Sequence, residues 1–195
     1  MTKPKPNTHI IAFIGFQRVG KSTAAKYLEE KYGFVRHNMK DALVEEIKQN
    51  FPDLLIAIAL QHYGYSSVED LLRFEPNYIN QLFETKPPLM RALLQNYGTE
   101  VRRGDDPDYW VKQWAKNSYA HEKLVVDDVR FINEGAKVKE RGGTLIRLIR
   151  EDITTGGTHA SETEQLSIEA DYTIECKEGD HEHLYAELDR ILALK

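Results

Sequence analysis

The segment that most restricts the fold is GFQRVGKST, which covers residues 15–23. It follows the apolar run HIIAFI and opens KSTAAKYLEEKY, in which apolar residues recur with the period of an amphipathic helix. The pattern G-x-x-x-x-G-K-[ST] between a buried strand and a helix is typical of a loop that binds phosphates. Its glycines let successive backbone N–H groups turn toward phosphate oxygens, and the helix start adds a positive dipole end. The sequence therefore predicts a strand–loop–helix unit that binds a nucleoside triphosphate.

Seven residues of this loop form the predicted ATP site. We expect Lys21 to reach the outer phosphates of ATP and the Ser22 hydroxyl to bind Mg²⁺. The residues assigned to ATP are Gly15, Arg18, Val19, Gly20, Lys21, Ser22 and Thr23.

Apolar segments rich in β-branched residues predict the strands of one sheet. They are HIIAFI (9–14), KLVVDDV (123–129), GTLIRLI (143–149) and DYTIEC (171–176), with FVRHN (34–38) as a shorter candidate. Polar and apolar residues do not alternate cleanly in them, which is typical of a parallel sheet covered on both faces. Because helical patterns separate the strands, we predict a three-layer α/β fold with a five-stranded, mainly parallel sheet. The chain is expected to be a single domain, 1–195, with a helical inserted lobe at 53–121.

Carboxylates follow the second long strand, in LVVDDVR (124–130). A strand that ends in aspartates is what ATPases use to hold Mg²⁺, so Asp127 and Asp128 are candidates. Either aspartate could instead cap the loop, and we expect at most one near the metal, with Asp127 assigned. Arg130 could pair with these carboxylates or hold a second phosphate through two hydrogen bonds.

Charge and cysteine content limit the partners and the compartment. The chain has 26 Lys and Arg against 31 Asp and Glu, a net charge of −5, which disfavours binding of nucleic acid. Its single cysteine, Cys176, excludes an intramolecular disulfide and is typical of a reducing compartment, so we expect a cytoplasmic location. The polar MTKPKPNT and the short apolar run after it match neither a signal peptide nor a membrane span. The oligomeric state stays open, with a homodimer as one alternative.

The residues by themselves favour a small-molecule kinase over two other classes. A GTPase should carry N-K-x-D, and the chain has no such motif. A mechanical or regulatory ATPase remains an alternative, although no sensor region is evident. If the acceptor is itself a phosphate, its oxygen is ionised near neutral pH, since its second pKa is about 6, and no general base is needed.

Three further segments carry a resemblance to a known family. They are MRALLQNYGTEVRRGDDPDYWVKQW (90–114), VVDDVRFINE (125–134) and THASE (158–162). Together with residues 15–23 they resemble the deoxynucleoside monophosphate kinases of bacteriophages, over roughly residues 9–176. Dephospho-coenzyme A kinases are similar more distantly. The resemblance implies a P-loop kinase fold and transfer of the γ-phosphoryl of ATP, with Mg²⁺, to a deoxynucleoside monophosphate. A kinase for another acceptor, such as dephospho-coenzyme A, and a P-loop regulator without transfer remain alternatives.

The resemblance also implies roles for particular residues. It makes 53–121 the monophosphate-binding insertion, and it implies that the acceptor is bound by Arg91, Gly98, Thr99, Trp110, Asp128, Arg130 and Glu134. The roles in transfer fall to Lys21, Asp128, Arg130 and Arg150.

The residues alone permit local roles for the same positions. Gly98 and Thr99 could end a helix. Trp110 and Trp114, four residues apart, could pack on one helix face in the core. Glu134 could lie in the first turn of a helix, where the helix dipole favours a negative charge. Arg91 could be exposed to solvent without binding a ligand. A bulky side chain against the sugar, such as Tyr97 or Tyr109, is one device that could reject a 2′-hydroxyl.

A lid is predicted at residues 150–164, where EDITTGGTHASETE follows the fourth strand. Arg150 is the candidate for neutralising charge as the phosphoryl moves, or it pairs with Glu151 or Asp152. Ser161 fits a helix capping box, and His159 has no assigned role.

Overall fold

The computed structural model describes residues 9–153 and 163–194. These residues form two compact units. The sheet unit comprises residues 9–39, 111–153 and 163–194, and the helical unit comprises residues 40–110.

The sheet unit contains five strands. They are β1 (His9–Ile14), β2 (Val35–Arg36), β3 (Lys123–Val126), β4 (Thr144–Arg150) and β5 (Tyr172–Cys176). Their spatial order is β2-β3-β1-β4-β5 and every neighbouring pair is parallel, so the predicted α/β fold is confirmed. The strand predicted at 123–129 ends early, at Val126, because the next amide, that of Asp127, donates to the Asn38 side chain (2.9 Å).

Helices cover both faces of this sheet. Those of the sheet unit are α1 (Lys21–Tyr32), α8 (Ile132–Glu140), α9 (His181–Ala193) and most of α7 (Tyr109–Ser118), whose first two residues belong to the helical unit, with a short 3₁₀ turn at Glu164–Ser167. One core contains Phe13 of β1 with Leu28 of α1 and Leu188 of α9. The other contains Ile14 with Trp114 of α7. The sheet is therefore the middle of three layers, which places the loop between β1 and α1 at its carboxyl edge.

The helical unit has its own core. Its helices are α2 (Asp41–Asn50), α3 (Pro52–Tyr63), α4 (Val68–Phe74), α5 (Tyr78–Thr85), α6 (Pro88–Gln95) and a π-helix (Asn96–Arg103). Ile47, Leu55 and Trp110 are among its buried residues, whereas Trp114 packs in the sheet unit. The unit therefore starts and ends earlier than the predicted insertion at 53–121. Its role in substrate binding stays a prediction.

Two local features distinguish the helical unit. Pro52 occupies the start of α3, where the missing N–H costs nothing. The helix α6 ends at Gln95, and the chain then continues as the π-helix. No helix among the described residues is long and apolar enough to cross a membrane.

Candidate active site

The loop between β1 and α1 has the backbone form of a phosphate cradle. Gly15, Arg18 and Gly20 have positive φ angles of 144°, 69° and 103°. A loop with these turns can direct successive N–H groups toward one anion. Val19 is buried in the core of the sheet unit, so its side chain anchors the loop to that core.

Lys21 is the first residue of α1, and its ammonium lies over this loop. Nζ donates to the carbonyl oxygens of Gly15 (2.5 Å) and Phe16 (2.6 Å). The positive charge is therefore held at the loop before any ligand is bound. Phosphate oxygens are stronger partners for an ammonium than neutral carbonyls, so a bound nucleotide can take over these contacts.

Asp127, directly after β3, is held by two residues of the neighbouring chain segment. Its Oδ1 accepts from Asn38 Nδ2 (2.7 Å) and its Oδ2 from Arg36 Nη1 (3.2 Å). Arg36 also donates to Glu29 (2.6 Å) and to the backbone carbonyl of Ser22 (3.3 Å). The two predicted Mg²⁺ ligands, Ser22 and Asp127, are thus linked through one guanidinium, although the Ser22 contact is through its backbone.

Asp128 and Glu134 hold the turns around Asp127. Asp128 Oδ1 accepts from the Met39 amide (2.9 Å). Glu134, only 4% exposed, accepts at Oε2 from the amides of Arg130 (2.8 Å) and Phe131 (3.1 Å). Glu134 therefore caps the start of α8, which is the local role that the sequence left open.

Arg150, at the end of β4, contacts the phosphate loop. Its Nη1 donates to the Arg18 carbonyl (3.0 Å), and its Nε donates to Asp152 Oδ1 (2.9 Å). A second contact joins Nη2 to Asp152 Oδ2, and these hydrogen bonds lower the pKa of the Asp152 carboxyl. The salt bridge considered from the sequence is therefore present, and it fixes Arg150 beside the loop. Most of the predicted lid, with His159, Ser161 and THASE, lies outside the described residues.

A groove of about 100 Å³ adjoins the phosphate loop within the sheet unit. Its lining includes Arg18, Gly20, Thr23, Cys176, Lys177 and His181. Burial raises the pKa of the Cys176 thiol, which favours its neutral form. The segment after β5 was not among the predicted site residues, since it matches no motif.

In the helical unit, Trp110 and Gly98 are joined by a hydrogen bond. Trp110 is 4% exposed and its Nε1 donates to the Gly98 carbonyl (2.8 Å). A Cβ at Gly98 would lie 3.0 Å from Cδ2 of Leu43, so this position is closely packed. Gly98 and Thr99 do not end a helix but lie inside the π-helix, a rare element that is frequent at functional sites.

Arg91 and the two tyrosines predicted near the sugar make different contacts in this unit. Arg91 is exposed and donates from Nε to the Lys86 carbonyl (3.0 Å). The hydroxyls of Tyr97 and Tyr109 both donate to the carboxylate of Glu46, which was not among the predicted site residues.

Comparison with known proteins assigns the chain to a family. No protein-family model matches it. A protein of Acanthamoeba polyphaga mimivirus, named "Putative deoxynucleotide monophosphate kinase", is 31% identical over 176 residues, which cover 83% of this chain and 84% of that protein. The chain belongs to the nucleotide kinase family of this viral protein.

Two solved structures resemble the kinase more weakly. Shikimate kinase from Aquifex aeolicus is 15% identical with a TM-score of 0.45, and the match covers 94% of this chain and 96% of the shikimate kinase chain. Dephospho-CoA kinase from Campylobacter jejuni is 15% identical with a TM-score of 0.42, and the match covers 96% of this chain and 97% of the dephospho-CoA kinase chain.

Several predicted residues of the kinase are in contact in the sheet unit. Lys21 contacts Gly15, Arg150 contacts Arg18, and Arg36 joins the Ser22 backbone to Asp127. Arg36 and Asn38 were missed, although one signal was present. Both lie in FVRHN, the candidate strand whose carboxyl end meets the same sheet edge as the end of β3.

The capping contacts predict the effect of replacing Glu134. Glu134→Ala leaves the amides of Arg130 and Phe131 without this acceptor, so we expect the kinase to lose about 1–3 kcal/mol of unfolding free energy. Glu140→Ala, on the exposed end of α8, is the control and should change stability by less than about 0.5 kcal/mol. Urea unfolding of both variants measures the difference. Equal stabilities would mean that the cap is energetically unimportant.

Proposed function

We propose that the kinase transfers the γ-phosphoryl group of ATP to the phosphate of a deoxynucleoside monophosphate, giving ADP and a deoxynucleoside diphosphate. The observation that carries the proposal is the Lys21 ammonium held over Gly15 and Phe16 in a loop of positive φ angles. The name of the mimivirus relative supports the choice of acceptor.

The donor nucleotide is proposed to bind through the loop and the groove beside it. The backbone of residues 15–22 and Lys21 would hold the phosphates, with Thr23 nearby. The groove lined by Gly20, Cys176 and Lys177 would take the adenosine part, because it adjoins the loop.

The oxygen donors of the sheet unit fit a Mg²⁺ site. Mg²⁺ prefers carboxylate and hydroxyl oxygens and keeps several waters, and Ser22 and Asp127 supply such oxygens. Both carboxylate oxygens of Asp127 already accept hydrogen bonds, so this residue suits a contact through water. Mg²⁺, when bound, supplies positive charge that neutralises the phosphate oxygens.

The acceptor would need binding and charge neutralisation rather than a base. Its phosphate oxygen is ionised near neutral pH and can attack the γ-phosphorus while the bond to the β-phosphate oxygen breaks, releasing ADP. In the sheet unit we assign Arg130 to the acceptor phosphate and Arg150 to charge on the moving phosphoryl group. In the helical unit we assign Arg91, Gly98 and Thr99 to the acceptor.

Two residues with local contacts, Glu134 and Trp110, are assigned indirect roles in this mechanism. Glu134 caps α8 next to Arg130, and Trp110 holds the Gly98 carbonyl. We propose that these contacts fix the backbone around the acceptor residues.

The test is ADP formation from ATP–Mg²⁺ with a panel of acceptors. The panel contains dAMP, dCMP, dGMP, dTMP, the ribonucleotide forms and dephospho-coenzyme A. We expect ADP to form with one or more deoxynucleoside monophosphates and much less with their ribonucleotide forms. Turnover with dephospho-coenzyme A alone would replace the acceptor, and the absence of acceptor-dependent turnover in an ATP-binding protein would favour a regulatory role.

A further inference from the structure

The carboxylate of Glu46, on α2, collects three donors in the helical unit. Its Oε2 accepts from Tyr97 Oη (3.0 Å) and from Arg102 at Nε (3.0 Å) and Nη2 (2.9 Å). Its Oε1 accepts from the hydroxyl of Tyr109, and this hydrogen bond raises the pKa of Tyr109. One carboxylate therefore joins α2, the π-helix and the start of α7.

Two of these partners meet only because the intervening helix is a π-helix. Tyr97 and Arg102 are five residues apart, and Arg102 Nε also donates to Tyr97 Oη (3.0 Å). In an α-helix each residue turns by about 100°, so residues five apart point about 140° away from each other. The wider turn of a π-helix, with its i→i+5 hydrogen bonds, brings them to one face. The contacts of Tyr97 and Arg102 with Glu46 therefore accompany the π form of this segment and would be lost in an α-helix.

The aromatic rings strengthen the same arrangement. The Arg102 guanidinium lies 5.2 Å from the centroid of the Tyr97 ring and 4.9 Å from that of Tyr109. Both distances are within the range of a cation–π contact. The side chain of Glu46 is 20% exposed, so its attraction for the guanidinium is only partly screened by solvent.

The residues between Tyr97 and Arg102 are fixed by the same surroundings. Leu43, one turn before Glu46 on α2, packs against Gly98, and Trp110 holds the Gly98 carbonyl. A return of this segment to an α-helix would rotate Thr99 and release these contacts. The position of Thr99 thus depends on a carboxylate on another helix.

We propose that Glu46 is a positioning residue for the acceptor, which holds the π-helix so that Gly98 and Thr99 can bind the nucleoside monophosphate. This inference rests on the proposed function. Glu46 acts through Tyr97, Arg102 and Tyr109 and does not itself need to touch the substrate. A purely structural role would lower stability without a selective effect on one substrate.

The test compares Glu46→Gln with Glu45→Gln. Glutamine keeps the shape of Glu46 but removes the charge that holds Arg102, whereas Glu45 is exposed on the same helix and pairs only locally with Lys48 (3.3 Å). We expect Glu46→Gln to raise the KM for the deoxynucleoside monophosphate by about tenfold or more, with the KM for ATP unchanged. Glu45→Gln should leave both constants as in the wild type. Faster amide exchange at residues 96–103 in Glu46→Gln would report the loosened π-helix without using activity.

The outcomes separate this inference from the proposed function. An unchanged acceptor KM in folded Glu46→Gln, or an equal rise of both KM values, would overturn the positioning role and leave the reaction standing. A wild-type protein without acceptor-dependent turnover would overturn both. Should Glu46→Gln not fold, Tyr109→Phe decides in the same way, because it removes one hydroxyl from the network and keeps the ring. It should raise the acceptor KM in the same direction by a smaller factor.

Discussion

Lys21→Ala is expected to lower turnover by about 10²- to 10³-fold, the usual loss when one preorganised charge partner of a transition state is removed. The ammonium is held over the loop by Gly15 and Phe16, so it is in place before the nucleotide arrives. Its loss should cost only about 1–3 kcal/mol of stability, since two partly buried hydrogen bonds disappear. Steady-state kinetics and urea unfolding of the same preparation measure both effects.

The matched control for this variant is Lys26→Ala. Lys26 lies on the same helix, is exposed and pairs with the exposed Glu30 (3.6 Å), so its loss should change turnover by less than about twofold. A folded Lys21→Ala protein with the turnover of Lys26→Ala would show that the loop does not hold the transferred phosphoryl group.

Gly15→Ala is expected to have the largest effect on stability, a loss of about 2–4 kcal/mol. The φ angle of Gly15 is +144°, and an added Cβ would lie 2.4 Å from the carbonyl oxygen of Leu148 and 2.9 Å from Cγ2 of Val19. The Leu148 backbone belongs to β4, which pairs with β1 and β5, so it cannot move away cheaply. The loop must shift instead, and we expect ATP to lose its stabilising effect on thermal unfolding.

Gly33→Ala separates the two causes of this loss. Gly33 also has a positive φ, +69°, but nothing lies within 4 Å of an added Cβ. It should cost only about 1 kcal/mol, the penalty of the left-handed backbone alone. If urea unfolding showed that Gly15→Ala loses no more unfolding free energy than Gly33→Ala, the close approach of β4 to the loop would not contribute to the loss.

Much of the fold was predictable because its signals are local. The helix predicted at 21–32 has those bounds in the structure, since it starts after the turn at Gly20 and ends at Gly33. The long apolar runs gave the strands, because a strand in the middle of a three-layer fold is buried on both faces. The pattern around Gly15, Gly20 and Lys21 predicted the loop, because the conformation of such a loop depends on residues that are neighbours in the sequence.

Other features could not be predicted, because they depend on residues far apart in the chain. Asn38 and Asp127 hydrogen-bond across 89 residues, and Glu46 meets Tyr109 across 63. The π-helix has no motif of its own, and its residues Tyr97 and Arg102 meet Glu46 on another helix. Trp110 illustrates the ambiguity of local patterns, because a tryptophan suited to stacking on a base is here buried and bonded to Gly98.

The sequence by itself determined the α/β class, the five strands and the phosphate loop, because periodicity and glycine placement act over a few residues. Only the tertiary structure decided that Arg36 and Asn38 hold Asp127 and that Tyr97, Arg102 and Tyr109 meet at Glu46. The physical reason is that a buried carboxylate must find its donors wherever packing brings them, and packing is a property of the whole chain.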